Sequence, residues 1–230
     1  MRAHEAAERR RRFLIVGAVV AVLAVIGVLL WVTISKGDST GKEVGKTGTP
    51  GNTDGYAVVV GKADAPLTMR FYEDPQCPIC QQFEATVGPK VEQAIAEGKL
   101  KVEYHVVSFL DRVSPNQYSS RAANALYVVA DAAGPEVFAK YHQLLYDNQP
   151  AENTAGPDDD QLVAWAVEAG ATEADVRPGI EGNVYRQFVE NATGQMSKDG
   201  VNGTPGVFIG DGDLQPDPGA AVNAVLEALK

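Results

Sequence analysis

Cys77 and Cys80 are the only two cysteines in 230 residues, and the residues around them admit few folds. Leu67 to Tyr72 alternates and is rich in β-formers, Asp74-Pro75 breaks the run, and Cys80, Phe83, Val87, Val91 and Ile95 then recur at spacings of three and four. The pattern predicts strand, short loop, cysteine and helix, with Cys80 on the apolar helix face and Cys77 at the open N-terminal end. Unpaired backbone N–H groups and the helix dipole favour a thiolate there, and the thiolate is the nucleophile of thiol–disulfide exchange. Cys77 would attack and Cys80 would resolve. A purely structural disulfide between them would close a very short ring and stabilise little, because loop-closure entropy grows with loop length. A structural zinc wants four ligands. The domain adds only His105 and His142 to the pair, so no metal is expected, and no cofactor beyond a redox-active Cys77–Cys80 disulfide.

The N-terminus carries a different signal. Arg9 to Arg12 precedes Phe13 to Val32, twenty residues with no charged side chain. At a rise of 1.5 Å per residue such a run spans about 30 Å, the hydrocarbon thickness of a bilayer. A cleaved signal peptide would have a shorter apolar core and a small-x-small site, which Thr33-Ile34-Ser35-Lys36-Gly37 does not offer. We therefore expect a transmembrane helix over 13–34, a basic cytoplasmic segment over 1–12 by the positive-inside rule, and everything beyond the span extracytoplasmic at the plasma membrane. Residues 35–55, rich in Gly, Thr, Ser and Lys without apolar period, read as a flexible tether.

Residues 56–230 have one domain's length and carry 12 Lys and Arg against 25 Asp and Glu. So acidic a domain is a poor ligand for nucleic acid or anionic lipid. Along it, Tyr56 to Val60 reads as a strand. Gly98 ends the redox helix, which Pro89 should kink. Leu100 to Val107 alternates as a further strand, with His105 on its polar phase and so expected at the surface. From Ser114-Pro115, taken as a helix start, the chain turns helical. Tyr118 to Val129, Val137 to Leu145, Leu162 to Ala169 and Val184 to Ala192 mark successive helices. Gly200 to Gly206 breaks the periodicity, Val207 to Ile209 is a short strand, Asp211-Gly212 suggests a hairpin turn, and a last helix runs from Pro218 to Leu229.

A β-α-β unit, a helical insertion over about 114–196, then a β-hairpin and helix is the order of an α/β thioredoxin-like fold with an inserted helical domain. Ala65-Pro66, Phe71 to Cys80 and Gly200-Val201-Asn202-Gly203-Thr204-Pro205-Gly206-Val207-Phe208-Ile209 resemble the DsbA-like thiol–disulfide oxidoreductases, in particular the membrane-anchored ones of high-GC Gram-positive bacteria. The resemblance covers residues 56–230. It implies that Pro78 and Ile79 form the active-site dipeptide, that Pro205 is a cis-proline facing the cysteines, and that the Thr204 backbone pairs with an extended substrate by strand addition. There are departures. Pro-Ile lacks the histidine found between the cysteines of the most oxidising members. Phe71 stands where many relatives carry a buried acid, which leaves proton transfer from Cys80 to Glu73, Asp74 or water.

The reading that follows is an anchored dithiol oxidase. It would give its disulfide to unfolded secreted polypeptides with free thiols and be reoxidised by a membrane enzyme, quinone-linked or vitamin-K-epoxide-reductase-like. An anchored thioredoxin-like reductase, for instance in cytochrome c maturation, and a non-catalytic binding or chaperone module with a structural disulfide are the alternatives.

Overall fold

The structure, a computed structural model, describes residues 49–230. The basic N-terminus, the 13–34 span and most of the tether lie outside the described residues. Among the described residues no helix is long and apolar enough to cross a membrane.

Five strands form one mixed sheet: β1 (Thr53–Asp54), β2 (Ala57–Val60), β3 (Leu67–Glu73), β4 (Leu100–Val106) and β5 (Gly206–Ile209), in spatial order β1-β2-β4-β3-β5. β3 and β4 run parallel from Leu67↔Leu100 to Glu73↔Val106. A parallel pair needs a crossover, and α1 (Pro78–Ala96) provides it. β5 returns antiparallel on the other edge of β3, placing Val207 opposite Phe71. Alternation along β4 is regular, with Leu100, Val102, Tyr104 and Val106 buried and the residues between them half-buried. Phe71 is fully buried and meets Phe83 and Tyr104 edge-on at 5.3 and 5.7 Å, an aromatic core position.

Between β4 and β5 lie α2 (Tyr118–Ala133), α3 (Pro135–Asp147), α4 (Asp159–Ala169), α5 (Glu173–Glu181) and α6 (Arg186–Lys198); α7 (Pro218–Ala228) then packs on α1 and β5. α2 is the hub of the insertion and touches α3, α4, α5 and α6. The sequence marks only one apolar stripe on it, yet every residue from Ala122 to Ala130 is buried, because alanines on the remaining faces let neighbours approach. α5 escapes the periodicity reading because Pro178-Gly179 looks like a breaker. The Thr172 carbonyl accepts from the N–H groups of Asp175 and Val176 in its first turn, and Val176 and Ile180 are buried. Gly179 is needed because a Cβ would stand 2.9 Å from Val128 of α2.

Other expectations are corrected. The tether ends before residue 53: Thr53 and Asp54 pair with Val58 and Ala57, and the Gly51 N–H donates to Asp131. Ser114-Pro115 does not start a helix. A 3-10 turn (Asp111–Val113) and a Gln117 N–H bond to Ser114 intervene, and α2 starts after Gln117, whose φ is 55°. After Ile209 the turn closes with a Gly212 N–H bond to Ile209, but the return leg makes one backbone bond, Gln215 to Val207, and no strand. His105 is half-buried, stacked on Tyr72 at 4.2 Å, and burial pulls its pKa down to about 4.

Candidate active site

The sheet and α1 bring the cysteines to the C-terminal end of β3. Asp74 to Gln76 turn the chain, with the Cys77 N–H bonded to Asp74 O at 2.9 Å. Cys77 caps α1 in extended conformation, and Pro78, which has no N–H to lose, takes the first helical position. The turn is clamped from the insertion: the Gln149 amide donates to the carbonyls of Pro75 and Cys77, each at 3.0 Å.

Cys77 is not open, as the helix-end argument suggested, but 6% exposed; Cys80 is fully buried. Tyr146 forms one buried cluster with the two cysteines, and Leu110 packs against that cluster. The loop before β5 closes over Cys77. Thr204-Pro205 is cis, and the Cys77 thiol donates to the Thr204 carbonyl at 3.4 Å. Ile79, 44% exposed, leaves an apolar side chain in solvent between the two cysteines.

The two thiols titrate apart. The Cys77 pKa is lowered to about 6, first by the hydrogen bond from the Cys80 thiol, then by the Thr204 side chain and the N–H groups of Cys80 and Ile79, with burial opposing. Cys80 is pushed well up, first by burial and then by its bond to Cys77. Near neutral pH the pair therefore consists of an ionised Cys77 and a protonated Cys80.

Beside them lies a buried polar group of three. Glu73 at the end of β3, Glu84 on α1 and His142 on α3 are at most 3% exposed, with donor atoms all within 4.8 Å of one another. Burial raises Glu73 to about 8 and Glu84 well above its usual value, and it lowers His142. The 3.0 Å contact between Glu73 Oε2 and His142 Nε2 is therefore a bond between neutral groups at pH 7, not an ion pair. A histidine with two carboxylates is also a donor set for a divalent cation, one ligand short of a closed tetrahedral site.

Comparison with known proteins agrees with this arrangement. A family profile described as thioredoxin matches residues 53–228. Among solved structures, the chain is similar to the reduced disulfide bond oxidoreductase DsbG of Mycobacterium tuberculosis (34% identity, TM-score 0.63, 74% of this chain and 86% of that one). It is also similar to the reduced DsbA of the same organism (30% identity, TM-score 0.63, 76% and 100%). The chain belongs to the DsbA-like thiol–disulfide oxidoreductases of the thioredoxin family. Among curated proteins it is 30% identical over 164 residues to the serine/threonine-protein kinase PknE of Mycobacterium tuberculosis, covering 68% of this chain but only 29% of that kinase's length.

In this DsbA-like domain the acid next to Glu73 has a different task. Asp74 Oδ1 accepts from the Gln76 N–H, and Oδ2 accepts from the Leu110 N–H and the Ser119 hydroxyl, all at 2.7 to 2.8 Å. Its oxygens tie the active-site turn to the insertion. Burial raises its pKa to about 6 against these bonds. Glu84, His142 and Gln149 were not singled out as site residues. Glu84 had a signal: it continues the buried phase Cys80, Val87, Val91, where an acid is out of place. His142 likewise shares the buried phase of Phe138, Tyr141 and Leu145. Gln149 follows α3 in a loop and had none.

Proposed function

We propose that this chain is a membrane-anchored, extracytoplasmic dithiol oxidase that places disulfides in secreted polypeptides, with Cys77 as its exchanging sulfur and Cys80 as its resolving sulfur. The observation that carries this reading is the asymmetry of the pair. Cys77 lies at a helix N-terminus beside the Thr204 carbonyl with a lowered pKa, and Cys80 is sealed. A substrate thiolate attacks Cys77 Sγ, the Cys77–Cys80 bond breaks, and Cys80 leaves and is protonated. A second substrate thiolate then attacks the mixed disulfide, and Cys77 leaves as a thiolate. The substrate is oxidised, the enzyme is reduced, and a membrane reoxidase of quinone-linked or vitamin-K-epoxide-reductase-like type would take the two electrons. The substrate's extended backbone would lie along Thr204 and Pro205, with exposed Ile79 as an apolar contact.

The pKa of Cys77 bears on direction. One unit above a pKa of about 6, ionisation favours the reduced form by about 1.4 kcal/mol at pH 7, which raises the potential by about 30 mV. That supports an oxidant rather than a reductant, on a scale from about −270 mV for thioredoxin to about −120 mV for DsbA. Equilibrating the domain with glutathione should give a value between these two, and the oxidised domain should oxidise a reduced, unfolded protein. A potential at or below the thioredoxin value, with no such oxidation, would select the reductase. For the anchor, a reporter fused after Lys230 should be active only when exported.

A further inference from the structure

The active-site turn has few donors of its own. Pro75 and Pro78 carry no N–H, and the N–H groups of Gln76 and Cys77 both go to Asp74, one to Oδ1 and one to the carbonyl. The carbonyls of the turn therefore find donors elsewhere. Cys77 O takes the first helical bond of α1 from the Gln81 N–H at 3.1 Å, and it also accepts from Gln149 Nε2, as does Pro75 O. A primary amide carries two N–H groups on one nitrogen, so a single planar group bridges carbonyls two residues apart and fixes the backbone between them. Among the described residues no other side chain bonds the Cys77 backbone.

Gln149 is itself held. It lies just beyond α3, half-buried, at the start of a loop to α4 whose residues 151–155 are all exposed. The Gln149 N–H bonds Tyr146 O at 3.3 Å. The Gln76 amide reaches from the turn to the carbonyls of Ala151 and Thr154 at 3.4 and 3.2 Å, so two glutamines cross-link turn and loop in opposite directions. Each amide faces two carbonyls, which decides the side its nitrogen takes. Further along, Gly156 exchanges bonds of 2.8 and 3.0 Å with the Asn116 side chain, and a Cβ on it would stand 2.3 Å from the Tyr118 ring. The exposed middle of the loop is thus fixed at both ends.

We propose that Gln149 is a positioning residue of disulfide exchange, through which the helical insertion holds Cys77 at the start of α1 and sets how strongly the site oxidises. This deepens the reading of Cys77 as the exchanging sulfur and rests on it. Both cysteines are free here, so the bonds described are those of the reduced form. The N–H groups of Ile79 and Cys80 hold the Cys77 sulfur while Cys77 keeps its extended N-cap conformation, with φ −75° and ψ 115°. The two redox forms depend on that conformation to different degrees. In the disulfide form a covalent bond to Cys80 fixes the sulfur, whereas in the reduced form hydrogen bonds alone keep it in place. A group that fixes the Cys77 backbone therefore favours the reduced form, and a dithiol whose reduced form is favoured is the stronger oxidant. Gln149 touches no reacting atom and acts through the carbonyls of Pro75 and Cys77.

The test measures reduction potential and urea stability of the full chain in mild detergent, for the wild type and two variants. Gln149→Met keeps the length of the side chain and removes both donors. Gln149→Glu also sets a carboxylate against the two carbonyls. In glutathione buffers the equilibrium constant for reducing the disulfide should fall about tenfold in Gln149→Met, near the upper end of one hydrogen bond's net worth. A tenfold change corresponds to a potential lower by about 30 mV. Gln149→Glu should fall further. Folding and reduction share one thermodynamic cycle, so each variant should lose correspondingly more stability reduced than oxidised. Wild-type potentials in both variants, with equal stability losses in the two redox forms, would leave Gln149 a structural residue only and overturn the proposal. A potential that rises would overturn it too. A wild-type chain that fails to oxidise a reduced, unfolded protein would defeat the oxidase reading and leave the two variants' potentials to decide the role of Gln149.

Discussion

Cys77 Sγ lies 3.4 Å from the Thr204 carbonyl oxygen, across 127 residues of sequence. The contact puts the reactive sulfur directly against the backbone of the loop that resembles a substrate cradle. It also accounts for how little of Cys77 is exposed.

Cys77 should carry the exchange alone. Its thiolate absorbance in the reduced protein should titrate with a midpoint near 6, while Cys80 stays unreactive to a small alkylating agent below pH 9. Cys80→Ala should accumulate mixed disulfides with substrate proteins, visible on non-reducing gels, and Cys77→Ala should accumulate none. Equal alkylation of both thiols would contradict the burial difference.

Thr204→Val removes one of the groups that hold the Cys77 thiolate but keeps the backbone carbonyl. The Cys77 midpoint should rise by about one unit, the worth of one hydrogen bond to a charge, and the potential should fall in step. An unmoved midpoint would show that Cys80 and the helix N–H groups suffice.

Asp74 holds three donors with one carboxylate, so Asp74→Ala strands the buried Ser119 hydroxyl and the N–H groups of Gln76 and Leu110. A loss of about 3 kcal/mol or more is expected in urea denaturation, from a few unsatisfied groups at 1 to 3 kcal/mol each. Asp74→Asn should recover part of it.

Stability should depend on pH in opposite senses for the acids and the thiol. Glu73 binds its proton more tightly folded than unfolded, so its contribution is fully present below about pH 4.5 and is lost as pH rises through about 8. Cys77 in the reduced form does the reverse: its contribution is present above pH 9 and lost as pH falls through about 6. The oxidised protein, lacking the thiol, should lose stability from pH 5 to 8. Reduced protein should lose less. Glu73→Gln should raise the urea midpoint at pH 8 and leave it nearly unchanged at pH 5; a fall at pH 8 would show that Glu73 is ionised in the fold.

What the sequence determined by itself is what short-range geometry carries. Spacings of three and four place Cys80 with Phe83, Val87 and Val91 inside and Cys77 at the helix start, and alternation sets β4, because side-chain direction repeats with the backbone period. The thioredoxin-like order of elements follows from those runs. The cis-proline loop against the cysteines was legible only through resemblance, since no period links Cys77 to Thr204. Tertiary structure decided the rest. α5 persists through Pro178 because α2 covers it, and Thr53–Asp54 joins the sheet because β2 offers its backbone partners. Glu73, Glu84 and His142 come from a strand and two helices and become one group only when those elements pack. Their protonation follows from the loss of water at that contact, and burial of that kind exists nowhere in the chain until it folds.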